Sequence, residues 1–93
     1  MFSDLFEICG FRHYEGTEKS SGKRCGYFKI KFFFGESDWL DVDSFKLMHN
    51  RDNYYILPPA EKRNDKWIDF AHMSDNLKNA IIDKVSKIYE SIK

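Results

Sequence analysis

The sequence has little that would mark a secreted, membrane-bound or metal-dependent protein. Cysteine is scarce: the chain has 2, Cys9 and Cys25. At most one bridge is available, and free thiols in a reducing compartment are the expectation. The start, Met1-Phe2-Ser3-Asp4, carries neither the basic residues nor the apolar stretch of a signal peptide. Apolar runs are short, with Phe32 to Phe34 and Tyr54 to Leu57 among the longest, against the roughly 20 residues needed to cross a bilayer. The expectation is a soluble, cytoplasmic protein with no membrane partner.

Net charge is missing as well. Lys and Arg number 15 and so do Asp and Glu, which argues against a globally basic binder whose affinity comes from bulk counterion release. His13, His49, His72 and the two cysteines show none of the paired spacings of zinc sites. The glycines at 10, 16, 22, 26 and 35 fit neither a phosphate loop nor a dinucleotide fingerprint. No metal and no cofactor are expected.

What is there is a chain of 93 residues, 42% hydrophobic and 17% aromatic, sufficient for a single domain spanning 1–93. The zero charge dissolves when read in segments. Residues 19–31 hold Lys19, Lys23, Arg24, Lys29 and Lys31 with no acid, and the next stretch holds Glu36, Asp38, Asp41 and Asp43 with no base. The molecule is dipolar.

Leu5 to about Tyr14 reads as a strand, followed by a loop from Gly16 to Gly22. From Gly26 to Phe34 the alternation is clear, with Phe28, Ile30, Phe32 and Phe34 on one side and Tyr27, Lys29, Lys31 and Phe33 on the other. Gly35-Glu36-Ser37-Asp38 is a turn into a strand from Trp39 to Met48. There Leu40 and Val42 are out of phase with Phe45 and Leu47, which requires a bulge or bend near Asp43-Ser44. Tyr54 to Leu57 is a strand ended by Pro58-Pro59, Ala60 to Lys66 a charged loop, and Trp67 to Ala71 a short strand. A helix follows, with Ser74 as N-cap, Asp75 at the positive end of the dipole, and Leu77, Ile81, Val85, Ile88 and Ile92 as its apolar stripe, widened by Ile82 and Tyr89. Lys84 and Lys87 flank that stripe as an exposed basic edge. The expected class is α+β: a small antiparallel sheet of about five strands with a C-terminal helix packed on it.

Three groups of residues could carry function. Asp69 and His72 are close enough to touch, half of a general-base arrangement, yet no nucleophile motif accompanies them; a structural pair between the last strand and the helix is the favoured reading, and no enzymatic activity is expected. Tyr27, Lys29, Lys31 and Phe33 place rings and ammonium groups on one side of a strand, as single-strand-binding sheets do; an ordinary solvated face or a dimer contact is the alternative. The loop Lys62-Arg63-Asn64-Asp65-Lys66 is a second cationic surface, or a solubilising turn.

From about Leu40 onward the chain resembles the SpoVG family of small bacterial septation and sporulation regulators. The resemblance rests on Val42-Asp43-Ser44-Phe45-Lys46-Leu47, on the aromatic strand Tyr54-Tyr55-Ile56-Leu57 entering Pro58-Pro59, on the basic pair Lys62-Arg63, and on Trp67-Ile68-Asp69-Phe70-Ala71-His72 ahead of a helix ending near Tyr89. The chain departs from the family at Pro59, at Met73, and in lacking a glycine before the aromatic strand. The resemblance implies an antiparallel sheet with a C-terminal helix, a homodimer, and binding of DNA and RNA in regulation, without catalysis. On this reading Lys62, Arg63, Lys66, Lys84 and Lys87 contact phosphates, with Lys29 and Lys31 as a further surface. The alternative is a protein-interaction module using its aromatic sheet face and the acidic block Glu36 to Asp43, with the basic and acidic segments pairing across a dimer.

Overall fold

The computed structural model describes residues 5–17, 22–35, 37–69 and 72–92, with the side chains of 61–63 and 67–69 excepted. Strands β1 (Phe6–His13), β2 (Lys23–Phe33), β3 (Trp39–Asn50) and β4 (Asn53–Leu57) form an antiparallel sheet in the order β1-β2-β3-β4. Helix α1 (Asp75–Ile92) packs on β1, β3 and β4. The fold is α+β, as expected. Its main sheet has four strands where about five were expected, because the remaining two, β5 (Ala60–Arg63) and β6 (Lys66–Asp69), pair only with each other.

The long central strand β2 is covered on both edges, and its alternation sorts the side chains between two faces. Phe28 and Ile30 are buried under the helix, joined by Phe45, Leu47 and Ile56 from β3 and β4 and by Ile81, Val85 and Tyr89 from α1. Phe28 and Phe45 are register partners with rings stacked at 5.5 Å. Each such burial contributes about 1.5–3 kcal/mol. Phe34, assigned to the same side, lies beyond the end of β2 and is 62% exposed; Leu40 and Ile92, assigned to the core sides of their elements, are also exposed at the ends of the layer.

Three irregularities keep both faces coherent. Opposite Ile30 stands Val42 and opposite Phe28 stands Phe45, so β3 carries one residue more than β2 across this interval. That is the bulge required by the phase change in the sequence, and Ser44 takes a positive φ of 68° to form it. In β1, Cys9 pairs with Lys29 and Arg12 with Tyr27, with the extra residue at Gly10-Phe11, where Gly10 has a φ of 56°. In β2 the register slips between Arg24 and Gly26, an insertion the alternation gave no sign of.

The Ala60 to Lys66 segment, read as a loop, is instead a hairpin. Arg63 and Lys66 are register partners, and Asn64 and Asp65 between them have φ of 49° and 64°. Two consecutive left-handed residues make a type I′ turn, and Asn and Asp tolerate that conformation better than other non-glycine residues. The strand read as Trp67 to Ala71 is observed as Lys66–Asp69, with Phe70 and Ala71 outside the described residues. Ser74 caps α1: the Leu77 amide donates to Ser74 Oγ at 3.3 Å, and the first helical bond runs from Lys78 N to Ser74 O at 2.9 Å.

Gly26 is buried, and its missing side chain makes room for Phe11. A Cβ there would stand 2.6 Å from Phe11 Cζ and 2.8 Å from Arg12 O. The backbone oxygen cannot retreat without breaking the sheet, so Gly26→Ala is expected to destabilise the fold by about 1–3 kcal/mol, the range for overpacked cores, read as a lowered midpoint in urea unfolding.

Candidate nucleic-acid interface

The face of the sheet turned away from α1 collects what alternation and the bulges leave outside the core. Tyr27, Lys29, Lys31 and Phe33 come from β2 as anticipated, all half-buried. The slip at Cys25 inverts the phase of the preceding residue, so Arg24, which strict alternation from Phe28 would send into the core, pairs with Met48 and joins this face. Its guanidinium lies 6.0 Å from the Tyr14 ring centre and 5.6 Å from that of Tyr27, and it donates to the Tyr27 hydroxyl at 2.7 Å. Tyr14 meets Tyr27 edge to face at 5.9 Å. At the other end of the strand, Lys31 Nζ sits 4.8 Å from the centre of the Trp39 ring, which is 57% exposed. Cations and rings thus share the face, with Tyr14 and Tyr27 held by Arg24 and Trp39 by Lys31.

The acidic segment lies beside the basic one in the same chain. Lys29 pairs with Asp41 at 3.7 Å, and Lys31 faces Asp41 in register. The charge asymmetry of the sequence is thereby partly cancelled inside the β2-β3 hairpin, and the cation-rich end of the face moves toward Arg12 and Arg24.

The helix-edge lysines are differently placed. Lys84, read as exposed, is half-buried: it donates to Phe6 O at 3.3 Å and rests 4.6 Å from the centre of the Phe6 ring. This ties the helix to β1. Lys87 is exposed and pairs with Asp83 at 3.2 Å, one helical turn away. Lys66 is exposed at the end of the β5-β6 turn, opposite Arg63 in register. The side chains of Lys62 and Arg63 lie outside the described ones, as does that of Asp69; His72 is exposed. The structure therefore brings Lys29 and Lys31 together with Arg24, Tyr14 and Trp39, and sets Lys66, Lys84 and Lys87 on other elements.

A second cluster, which the sequence did not announce, joins the chain after β1 to the end of α1. Glu15 receives Tyr89 Oη–H at 2.8 Å on Oε1 and Lys23 Nζ at 2.6 Å on Oε2, with His13 Nε2 also 2.9 Å from Oε1. His13 stacks on Tyr89 at 5.4 Å, and Tyr54 donates to Glu90. Led by the Lys23 ammonium and then the Tyr89 hydroxyl, these donors pull the Glu15 carboxyl from its ordinary 4.5 to about 2. Burial, then the hydrogen bond to a carboxylate, pushes the Tyr89 and Tyr54 hydroxyls up, so both stay protonated donors.

Among the described residues, no group of three or more His, Cys, Asp or Glu side chains could hold a metal ion, and no helix is long and apolar enough to cross a membrane. Cys9 and Cys25 are unbridged. Comparison with known protein families, with curated proteins and with solved structures finds no match.

The Glu15 cluster has a signature in acid. A carboxyl whose folded pKa lies below its unfolded one stabilises the fold above the unfolded value and loses that contribution as pH falls through the folded one. Glu15→Gln is therefore expected to lower the melting temperature near neutral pH, with the gap from the unaltered protein closing between about pH 4.5 and 2. Thermal melts across that range read it directly.

Proposed function

We propose that the protein is a non-enzymatic, homodimeric regulator that binds single-stranded DNA or RNA on the helix-free face of its sheet. The observation that carries this reading is the gathering of Arg24, Lys29 and Lys31 with Tyr14, Tyr27 and Trp39 on one side of the sheet. Every base has a face that can stack on a ring, and every phosphate a charge that a nearby ammonium or guanidinium neutralises, so a sheet face that carries both can hold a single strand. Arg24 contributes twice, as a cation and as a plane stacked beside two tyrosines. The resemblance to the SpoVG family supports the same class, and the hairpin bearing Lys62, Arg63 and Lys66 adds a second contact along the strand.

Affinity is modest on this reading, because Asp41 occupies part of the positive charge of Lys29, and it falls with salt.

A second reading, contact with a protein partner, is favoured by one feature. Leu5, Phe34, Trp39 and Leu40 are all exposed where the start of β1 meets the β2-β3 turn, and Phe33 N bonds to Leu5 O at 2.9 Å there. This apolar rim fits a second copy or another protein better than it fits phosphate.

Fluorescence anisotropy with labelled oligonucleotides at low salt separates the two. The first reading expects binding that weakens as salt rises and a loss of roughly 5- to 150-fold in Tyr27→Ala, the free-energy range of one base stacked on one ring. Absence of binding to every single- and double-stranded probe would overturn it and leave the interaction module.

A further inference from the structure

Two of the bulges stand on opposite sides of the same residues of β2, and together they hollow the sheet. The insertion at Gly10-Phe11 in β1 lies between the partners of Tyr27 and Lys29, and the insertion at Asp43-Ser44 in β3 lies between the partners of Phe28 and Ile30. Where flat pairing would leave a continuous surface, there is an open depression of about 340 Å³ lined by Gly10, Phe11, Arg12, Lys29 and Asp43. That volume falls at the lower end of the roughly 300–1,000 Å³ of small-molecule sites. Nothing occupies the space above Gly10: a Cβ built there would meet no atom within 4 Å.

The lining is chemically asymmetric. Arg12 and Lys29 supply two cations; Lys29 is shared with Asp41 at 3.7 Å, and the exposed Arg12 side chain has no hydrogen-bond or ion-pair partner among the described residues. Asp43 supplies a carboxylate whose Oδ1 accepts the Ser44 amide at 2.7 Å, which fixes its direction, while Oδ2 has no partner among the described residues. A guanidinium and an ammonium suit a phosphate. A carboxylate repels one, but accepts from an exocyclic amine such as that of cytosine.

Resting on the reading of the sheet face given above, we propose that this depression is a nucleotide subsite. One phosphate of the bound strand sits on Arg12 and Lys29, and its base turns toward Asp43, so that bases carrying an amino group are preferred to thymine or uracil. The stacking rings of the face hold any base; the depression adds the discrimination that they lack.

The test uses the full chain and two probes, oligo(dC) and oligo(dT), titrated by anisotropy at several salt concentrations. Arg12→Gln is expected to weaken both probes and to reduce the slope of log affinity against log salt by about 0.7, the value for one phosphate of a single strand. Asp43→Asn is expected to leave the slope in place and to reduce the preference for oligo(dC) over oligo(dT) by about threefold or more, the scale of one hydrogen bond. Arg12→Lys, which keeps the charge, keeps the slope. Both side chains are exposed, and circular dichroism of each variant checks the fold. If Arg12→Gln and Asp43→Asn bind like the unaltered protein while Tyr27→Ala does not, the subsite is overturned and the sheet-face reading stands. If the unaltered protein binds neither probe, both fall together.

Discussion

The register of β3 against β2 is the constraint on which the rest depends. A strand that alternates strictly can offer the core only one parity of residue, yet β3 must bury Val42 at one end and Phe45 and Leu47 at the other. The extra residue at Asp43-Ser44 restores both to the helix side. Ser44 holds a left-handed backbone for this, a conformation that costs a non-glycine residue of order 1 kcal/mol, and the burial of Phe45 against Phe28 more than offsets it. Without the insertion, either Val42 or the pair Phe45 and Leu47 would face water.

The same device shapes the opposite face. Each inserted residue moves the side chains beyond it to the other side of the sheet, so the bulges that assemble the core also decide which cations and rings gather outside. Arg24 reaches Tyr14 and Tyr27 because the register slips at Cys25, and Arg12 faces outward opposite Tyr27 because β1 slips at Gly10-Phe11. Core and outer surface are two results of one set of register choices. The charge pattern follows: Lys29 meets Asp41 as soon as β2 and β3 pair, which turns a strongly dipolar sequence into a surface with locally cancelled charge.

The helix is held from both ends of the sheet. Lys84 reaches the backbone of Phe6 near one end, and the Glu15, Lys23, Tyr89 cluster closes the other. Residues that look like a free basic edge on a helical wheel are thus divided between anchoring and an intrahelical pair, because a lysine stem can lie along apolar surface and deliver its ammonium to a carbonyl.

By itself the sequence determined the elements whose periodicity is local: the β2 alternation, the Ser74-capped helix with its Ile81, Val85 and Tyr89 stripe, and even the place where β3 has to break phase. The hairpin turning at Asn64-Asp65 was not legible in it: with no glycine at the turn and charged residues on both sides, Ala60 to Lys66 reads as a loop. What only the tertiary structure decided is which strands pair and where β1 and β2 slip. Those slips bring Arg24 beside Tyr14, hollow the sheet around Lys29, and join Glu15 to Tyr89 across 74 positions of chain. The physical reason is that alternation within a strand reports only its own parity, whereas a bulge is selected by the fit of two strands and the layer packed on them.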